Sequence, residues 1–235
     1  MKKKVFTALG LMSGTSMDGV DISLISSDGF NEFTSIFNKF HQFDLEFQKK
    51  MIDLRYKISC YEDLKKYASE IDILDREITF FHYKLIDKII NEKNFQIDLI
   101  GFHGQTIFHN SDNKISIQLG NGKLLSQLTR KIVINNFRQE DLKKDGQGAP
   151  LTPIFHKLIS NFINTKFNIL FPINIINIGG ITNITQVLDN YSDNLNLFAY
   201  DIAPGNCLID EWVRKNSKKN LTKMVFLLNQ AMLMS

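Results

Sequence analysis

Met12-Ser13-Gly14-Thr15-Ser16-Met17-Asp18-Gly19-Val20-Asp21 separates two apolar stretches. Val5 to Leu11 runs before it, and Val20 to Ile25 alternates apolar and polar residues after it. This reads as strand, tight glycine-bounded turn, strand. Glycines let a backbone approach an anion closely, Thr15 and Ser16 add hydroxyl donors, and successive N–H groups can form a phosphate nest. Asp18 or Asp21 can hold a metal through water. A plain hairpin turn is the competing reading, and spacing alone favours it.

Downstream, Phe33 to Phe43 supplies a third strand, and Leu45 to Lys93 turns helical, with Leu64, Tyr67, Ile71, Leu74 and Ile78 at three- and four-residue spacing as core positions. Asp98 to Phe102 is a buried strand closed by His-Gly, which predicts a functional loop after it. Ile115 to Leu119 and Ile132 to Asn135 are short strands around a helix near Lys123 to Arg130. Pro150 and Pro153 open a helix to about Phe162. Ile173 to Ile178, Ile181 to Val187 and Leu195 to Tyr200 then repeat strand, glycine turn, strand, strand, before a helix from Pro204 through Leu208 and Trp212. The order argues for an α/β or mixed-sheet fold. Its repetition suggests two lobes facing a cleft, with a boundary near Lys131: residues 1–131 with the hairpin, and residues 132–235.

Of the 235 residues, 43% are hydrophobic and 23% charged, which excludes disordered, collagenous and disulfide-scaffold chains. A net charge of +3 spread over 28 basic and 25 acidic residues gives no electrostatic case for nucleic acid or an anionic membrane. Cys60 and Cys207 lie far apart without metal-ligand spacing, so a reduced, cytoplasmic setting is expected. The apolar stretch after Met1 and its three lysines stops at Leu11 and Met12, too short for a signal or a membrane span. Thirty isoleucines against six alanines point to an AT-rich coding bias, so many Asn and Lys residues are solvated filler.

Gly14-Thr15-Ser16-Met17 also resembles the nucleophile segment of subtilisin-like proteases. Those enzymes place Asp and His upstream of the serine, and no residue before Ser16 is either. The protease reading therefore fails. A second polar cluster, Gly101-Phe102-His103-Gly104-Gln105-Thr106 with His109, suits hydrogen bonding to a hydroxyl-rich ligand better than zinc, since no third ligand is near. A satisfied structural histidine is the alternative for His103. In Asn136-Phe137-Arg138-Gln139-Glu140-Asp141, Arg138 offers a planar fork for carboxylate or phosphate. Asp145-Gly146-Gln147-Gly148-Ala149-Pro150-Leu151-Thr152-Pro153 and His156 follow. The last clusters are Asn177-Ile178-Gly179-Gly180-Ile181-Thr182-Asn183 and Tyr200-Asp201-Ile202-Ala203-Pro204-Gly205-Asn206. Asp201, placed between a strand and a helix, reads as a general base or as an N-terminal cap.

Together these five clusters resemble, in order from about Val5 to Arg214, the anhydro-N-acetylmuramic acid kinases of the sugar-kinase/actin superfamily. The resemblance implies a two-lobed ribonuclease H-like α/β fold with an incomplete second lobe. It implies a cytoplasmic enzyme of cell-wall recycling that opens the 1,6-anhydro ring with water and phosphorylates O6 from ATP. The family's phosphate-binding hairpin falls on Gly14, Thr15, Ser16, Met17, Asp18, Gly19, Val20 and Asp21, with Mg²⁺ bridging the phosphates; its metal ligands stay unassigned. The catalytic aspartate of the family's Asp-Thr-Gly-Pro-Gly-Asn motif falls on Asp201, where this chain has Ile202 and Ala203 for Thr and Gly. His103, Gln105 and Arg138 position the sugar. Partners are the anhydro amino sugar and ATP, with neither nucleic acid nor membrane, and a homodimer stays open.

After Arg214 the likeness stops, and the chain reads as truncated after about residue 219. A frameshift near codon 220 explains the methionine-rich tail more economically than design. Two expectations follow. A truncated, non-catalytic sugar-binding remnant is the rival function. Structurally, the strands from Ile173 to Tyr200 keep helices for only one face, so the other exposes Ile, Val and Phe.

Overall fold

The computed structural model describes residues 4–189 and 196–216, so the tail beyond Asn216 lies outside the described residues. The chain divides into two compact units between Thr152 and Pro153. In the first unit, strands β1 (Phe6–Ser13), β2 (Gly19–Ser27) and β3 (Phe33–Gln42) form an antiparallel meander. Helices α1 (Leu45–Lys57), α2 (Tyr61–Lys66) and α3 (Ala68–Lys93) follow, then β4 (Leu99–Asn110), β5 (Ile115–Leu119), α4 (Gly122–Thr129), β6 (Ile132–Ile134) and α5 (Phe137–Lys143).

The sheet order is β3-β2-β1-β4-β5. β4 runs parallel to β1, with Leu9 opposite Ile100, and β6 joins the start of β4 in parallel, with Leu99 opposite Ile132. That pairing draws residues 132–134 into the first sheet, so the break falls at Thr152 and not near Lys131.

Alternation puts Leu9, Leu11, Val20, Ile22 and Leu24 in the core, where they meet Met51, Leu54, Leu74, Ile78 and Ile86 of the helices. Leu64, Tyr67 and Ile71 pack partly buried against that core, as the helical spacing requires. Asp44 caps α1 by accepting from the Phe47 N–H at 2.8 Å.

β4 is twelve residues long and does not end at Phe102. The expected loop His103-Gly104-Gln105-Thr106 lies within the strand. Gly104, at φ +71°, makes a bulge that moves the register from Leu11 opposite Phe102 to Ser13 opposite Gln105. The ladder then continues against β5.

The second unit comprises α6 (Pro153–Phe167), the antiparallel meander β7 (Ile173–Ile178), β8 (Ile181–Val187) and β9 (Leu197–Pro204), and α7 (Asn206–Asn216). It repeats the first unit's meander with a glycine turn between its first two strands. β9 runs to Pro204, past the predicted end at Tyr200, and α7 starts two residues later than Pro204. Asp201 therefore sits inside a strand and caps no helix.

Ile173, Thr185 and Val187 are buried beneath α6, where His156 Nδ1 lies 2.7 Å from Thr185 Oγ1. On the opposite face Ile176, Ile178, Phe198, Tyr200 and Ile202 stay exposed. The predicted open face is present, made of Ile, Phe and Tyr, with Val187 on the covered side. No described helix is long and apolar enough to cross a membrane.

Candidate active site

The β1–β2 hairpin is held from three sides. Met17, at φ +53°, buries its side chain in the core. The Phe43 N–H donates to Asp18 O at 2.9 Å. From β4, fully buried Gln105 donates through Nε2 to Gly14 O at 3.0 Å, while its Oε1 lies 2.5 Å from Ser13 Oγ. The tip is then open to a ligand: among the described residues the Thr15 and Ser16 amides have no intramolecular acceptor. Ser16 Oγ donates to Asp18 Oδ1 at 2.6 Å. Burial, and behind it the Asp18 charge, raises the Asp21 carboxyl above its usual range. Val20, like Met17, is buried, so neither side chain reaches a nucleotide and any contribution from them is backbone.

His103 and Arg138, 35 positions apart, come together. Arg138 Nε donates to His103 Nε2 at 2.8 Å and Nη1 donates to Gly148 O at 2.7 Å. Since a guanidinium only donates, His103 is neutral with its proton on Nδ1, directed to Gly104 O at 2.7 Å. Burial, followed by the Arg138 charge, lowers the His103 pKa to about 4. Burial also lowers that of Arg138, and among the described residues no carboxylate pairs with it. Asp141 Oδ2 accepts from the Gly148 N–H at 2.7 Å, which shapes the Gly-Gln-Gly-Ala-Pro run around Arg138. His109 is bonded to Ser116 Oγ at 3.0 Å.

In the second unit, Asp201 is exposed on β9 opposite Asn183, which in turn lies opposite Asn177. The three form a polar row across the sheet. Sequence reading quoted both asparagines without giving them a role; the signal was their cross-strand register, which no local pattern reveals. The Gly179-Gly180 turn accepts the amides that begin α7: Gly205 N to Gly180 O at 2.9 Å and Asn206 N to Gly179 O at 2.8 Å. A Cβ on Gly205 would overlap Gly179 O, which explains the glycine there.

In the first unit a buried histidine packs against β4. His82 on α3 is fully buried, with Nδ1 2.7 Å from Ile78 O and its ring edge-on to Phe102 at 4.9 Å. Burial lowers its pKa to about 4. The unfolded chain takes up this proton near pH 6.5, the folded one only near 4. Stability is thus full above pH 6.5 and falls as the pH drops toward 4, by about 3 kcal/mol for a group so buried. Urea melts at pH 7 and pH 4.5 check this: His82→Phe should shrink the difference and leave the share of His103, which is lowered in the same direction; an unchanged difference would refute it.

A sheet mixing parallel and antiparallel pairs, seven described helices and a glycine hairpin opening each meander fit an α/β kinase fold. The chain belongs to the anhydro-N-acetylmuramic acid kinase family, whose sequence profile matches residues 6–225 and so extends past Arg214. It is 48% identical over 216 residues to the anhydro-N-acetylmuramic acid kinase of Pelagibacter ubique, covering 92% of this chain and 56% of that protein. Enzymes of the same name from Brucella canis and Agrobacterium fabrum are 35% and 32% identical, covering 88% and 94% of this chain and 54% and 58% of theirs. The chain spans about half the length of the curated relatives it matches.

Proposed function

We propose that the chain carries the phosphate-holding and sugar-reading parts of an ATP-dependent kinase. That kinase converts 1,6-anhydro-N-acetylmuramic acid and water to N-acetylmuramic acid 6-phosphate in peptidoglycan recycling and amino-sugar catabolism in the cytoplasm. The observation that carries this reading is the hairpin whose tip amides at Thr15 and Ser16 are open, in a chain of this family. Those amides hold the ATP phosphates. Asp18 and Asp21 are close enough for one charge to raise the other's pKa, a donor pair that fits a hard cation. They would hold Mg²⁺ through water, which when bound neutralises phosphate charge.

Arg138 keeps its cation without a carboxylate partner, and the substrate named by the relatives is an acid. Its free Nη2 takes that carboxylate, while neutral His103 fixes the guanidinium plane. Asp201 takes the proton of the water attacking the anomeric carbon; the C1–O6 bond breaks, and O6 attacks the γ-phosphorus as its bond to the bridging oxygen breaks and ADP leaves. In the two-lobed ribonuclease H-like reading the chain passes from one lobe to the next at Thr152–Pro153.

A coupled ADP-release assay with the anhydro sugar tests this. Asp201→Asn is expected to lower turnover by about a hundredfold or more, and a variant as active as the wild type would remove Asp201 as the base. The rival reading is a sugar-binding protein without catalysis. Calorimetric binding of the sugar without ATP would decide for it.

A further inference from the structure

We infer that Gln105 is a positioning residue that bolts the phosphate hairpin to the sugar-side strand, and is not a sugar ligand; this rests on the kinase reading above. The bulge at Gly104 brings Gln105 into the buried set of β4 with Ile100, Phe102 and Ile107, all fully or nearly fully buried. A side chain with no exposed surface meets no sugar. What it meets is the hairpin.

Its Nε2 donates to Gly14 O at 3.0 Å, the carbonyl that also accepts the Met17 N–H at 3.2 Å and closes the turn. Its Oε1 lies 2.5 Å from Ser13 Oγ, which is also 2.9 Å from Gly19 O at the far end of the turn. The hydroxyl has one proton and donates to one of these acceptors at a time, so the Gln105 amide holds the near end of the turn at Gly14 O while Ser13 alternates between Gln105 and the far end at Gly19 O. Two positions earlier on the same strand, His103 holds Arg138. β4 therefore ties the group that reads the sugar to the loop that holds phosphate, and the bulge sets the two side chains apart.

Three variants test this in the intact chain: Gln105→Met keeps the volume without polar atoms, Gln105→Glu loses the donor to Gly14 O, and Ser13→Ala removes only the hydroxyl. Hydrogen exchange without ligand reads the bolt directly. The Met17 amide should exchange about tenfold faster in both Gln105 variants, with amides of α3 unchanged. Calorimetry with Mg²⁺-ATP and with the anhydro sugar separately should show ATP affinity falling about tenfold and sugar affinity holding within about twofold.

Unchanged Met17 exchange overturns the proposal, and so does a loss of sugar affinity equal to or greater than that for ATP. If the wild-type chain binds no ATP, the kinase reading fails while Met17 exchange still decides whether Gln105 holds the hairpin. Should the Gln105 variants not fold, Ser13→Ala decides by the same exchange measurement.

Discussion

Gly104→Ala is expected to destabilise the first unit by about 4 kcal/mol or more, one of the largest effects a single methyl can have. The residue sits at φ +71°, where an L side chain is strained by about 1–3 kcal/mol. A Cβ there would also overlap Leu119 O, a backbone atom of the strand paired with Gln105. Backbone in a ladder cannot rotate away as a side chain can, so β5 must shift and weaken its pairing with β4. Gly29 provides the control. It has φ +78° but nothing near the added carbon, so Gly29→Ala should cost only about 1 kcal/mol. Urea melts of the two variants separate conformational strain from collision. Equal losses would mean that the Leu119 contact relaxes freely and that the bulge is not rigid.

The same bulge explains where sequence reading fell short. Alternation and bracketing glycines made both meanders legible, since each strand's core face follows from its own residues. The sequence pattern ends β4 at Phe102 because His103, Gln105 and His109 look like loop chemistry. Their partners are Arg138, Gly14 and Ser116, and the first two lie 35 and 91 positions away. A buried polar side chain inside a strand, such as Gln105, is stable only when such partners arrive, and nothing local announces them. Asp201 shortened β9 in the same way. The division into compact units falls at Thr152, past the boundary expected near Lys131, because β6, three residues long, gains its identity from pairing with β4. Among the site residues, His103 and Arg138 were named for one task and do meet. Gln105 carries the same expectation, and its full burial supports the positioning role inferred above instead.

The chain is expected to self-associate through its second unit, and proteases to cut beyond Thr152 before they reach the first unit. Ile176, Ile178, Phe198, Tyr200 and Ile202 are between 48% and 62% exposed on one side of a three-stranded sheet whose other side α6 covers. Neighbouring side chains of this size form an apolar patch of several hundred Å², the size at which soluble proteins associate. β7 and β9 also end the described sheet, leaving rows of unpaired N–H and C=O groups at both sides. In the first unit the helices bury a larger core, and its strands open less readily. Ile178→Lys combined with Tyr200→Lys puts two charges on the patch and leaves the α6 side untouched. Light scattering after size exclusion should then show the mass falling toward one chain while the circular dichroism is unchanged. A wild-type monomer whose residues 153–216 resist protease as well as residues 4–152 would show that the open face is closed in solution.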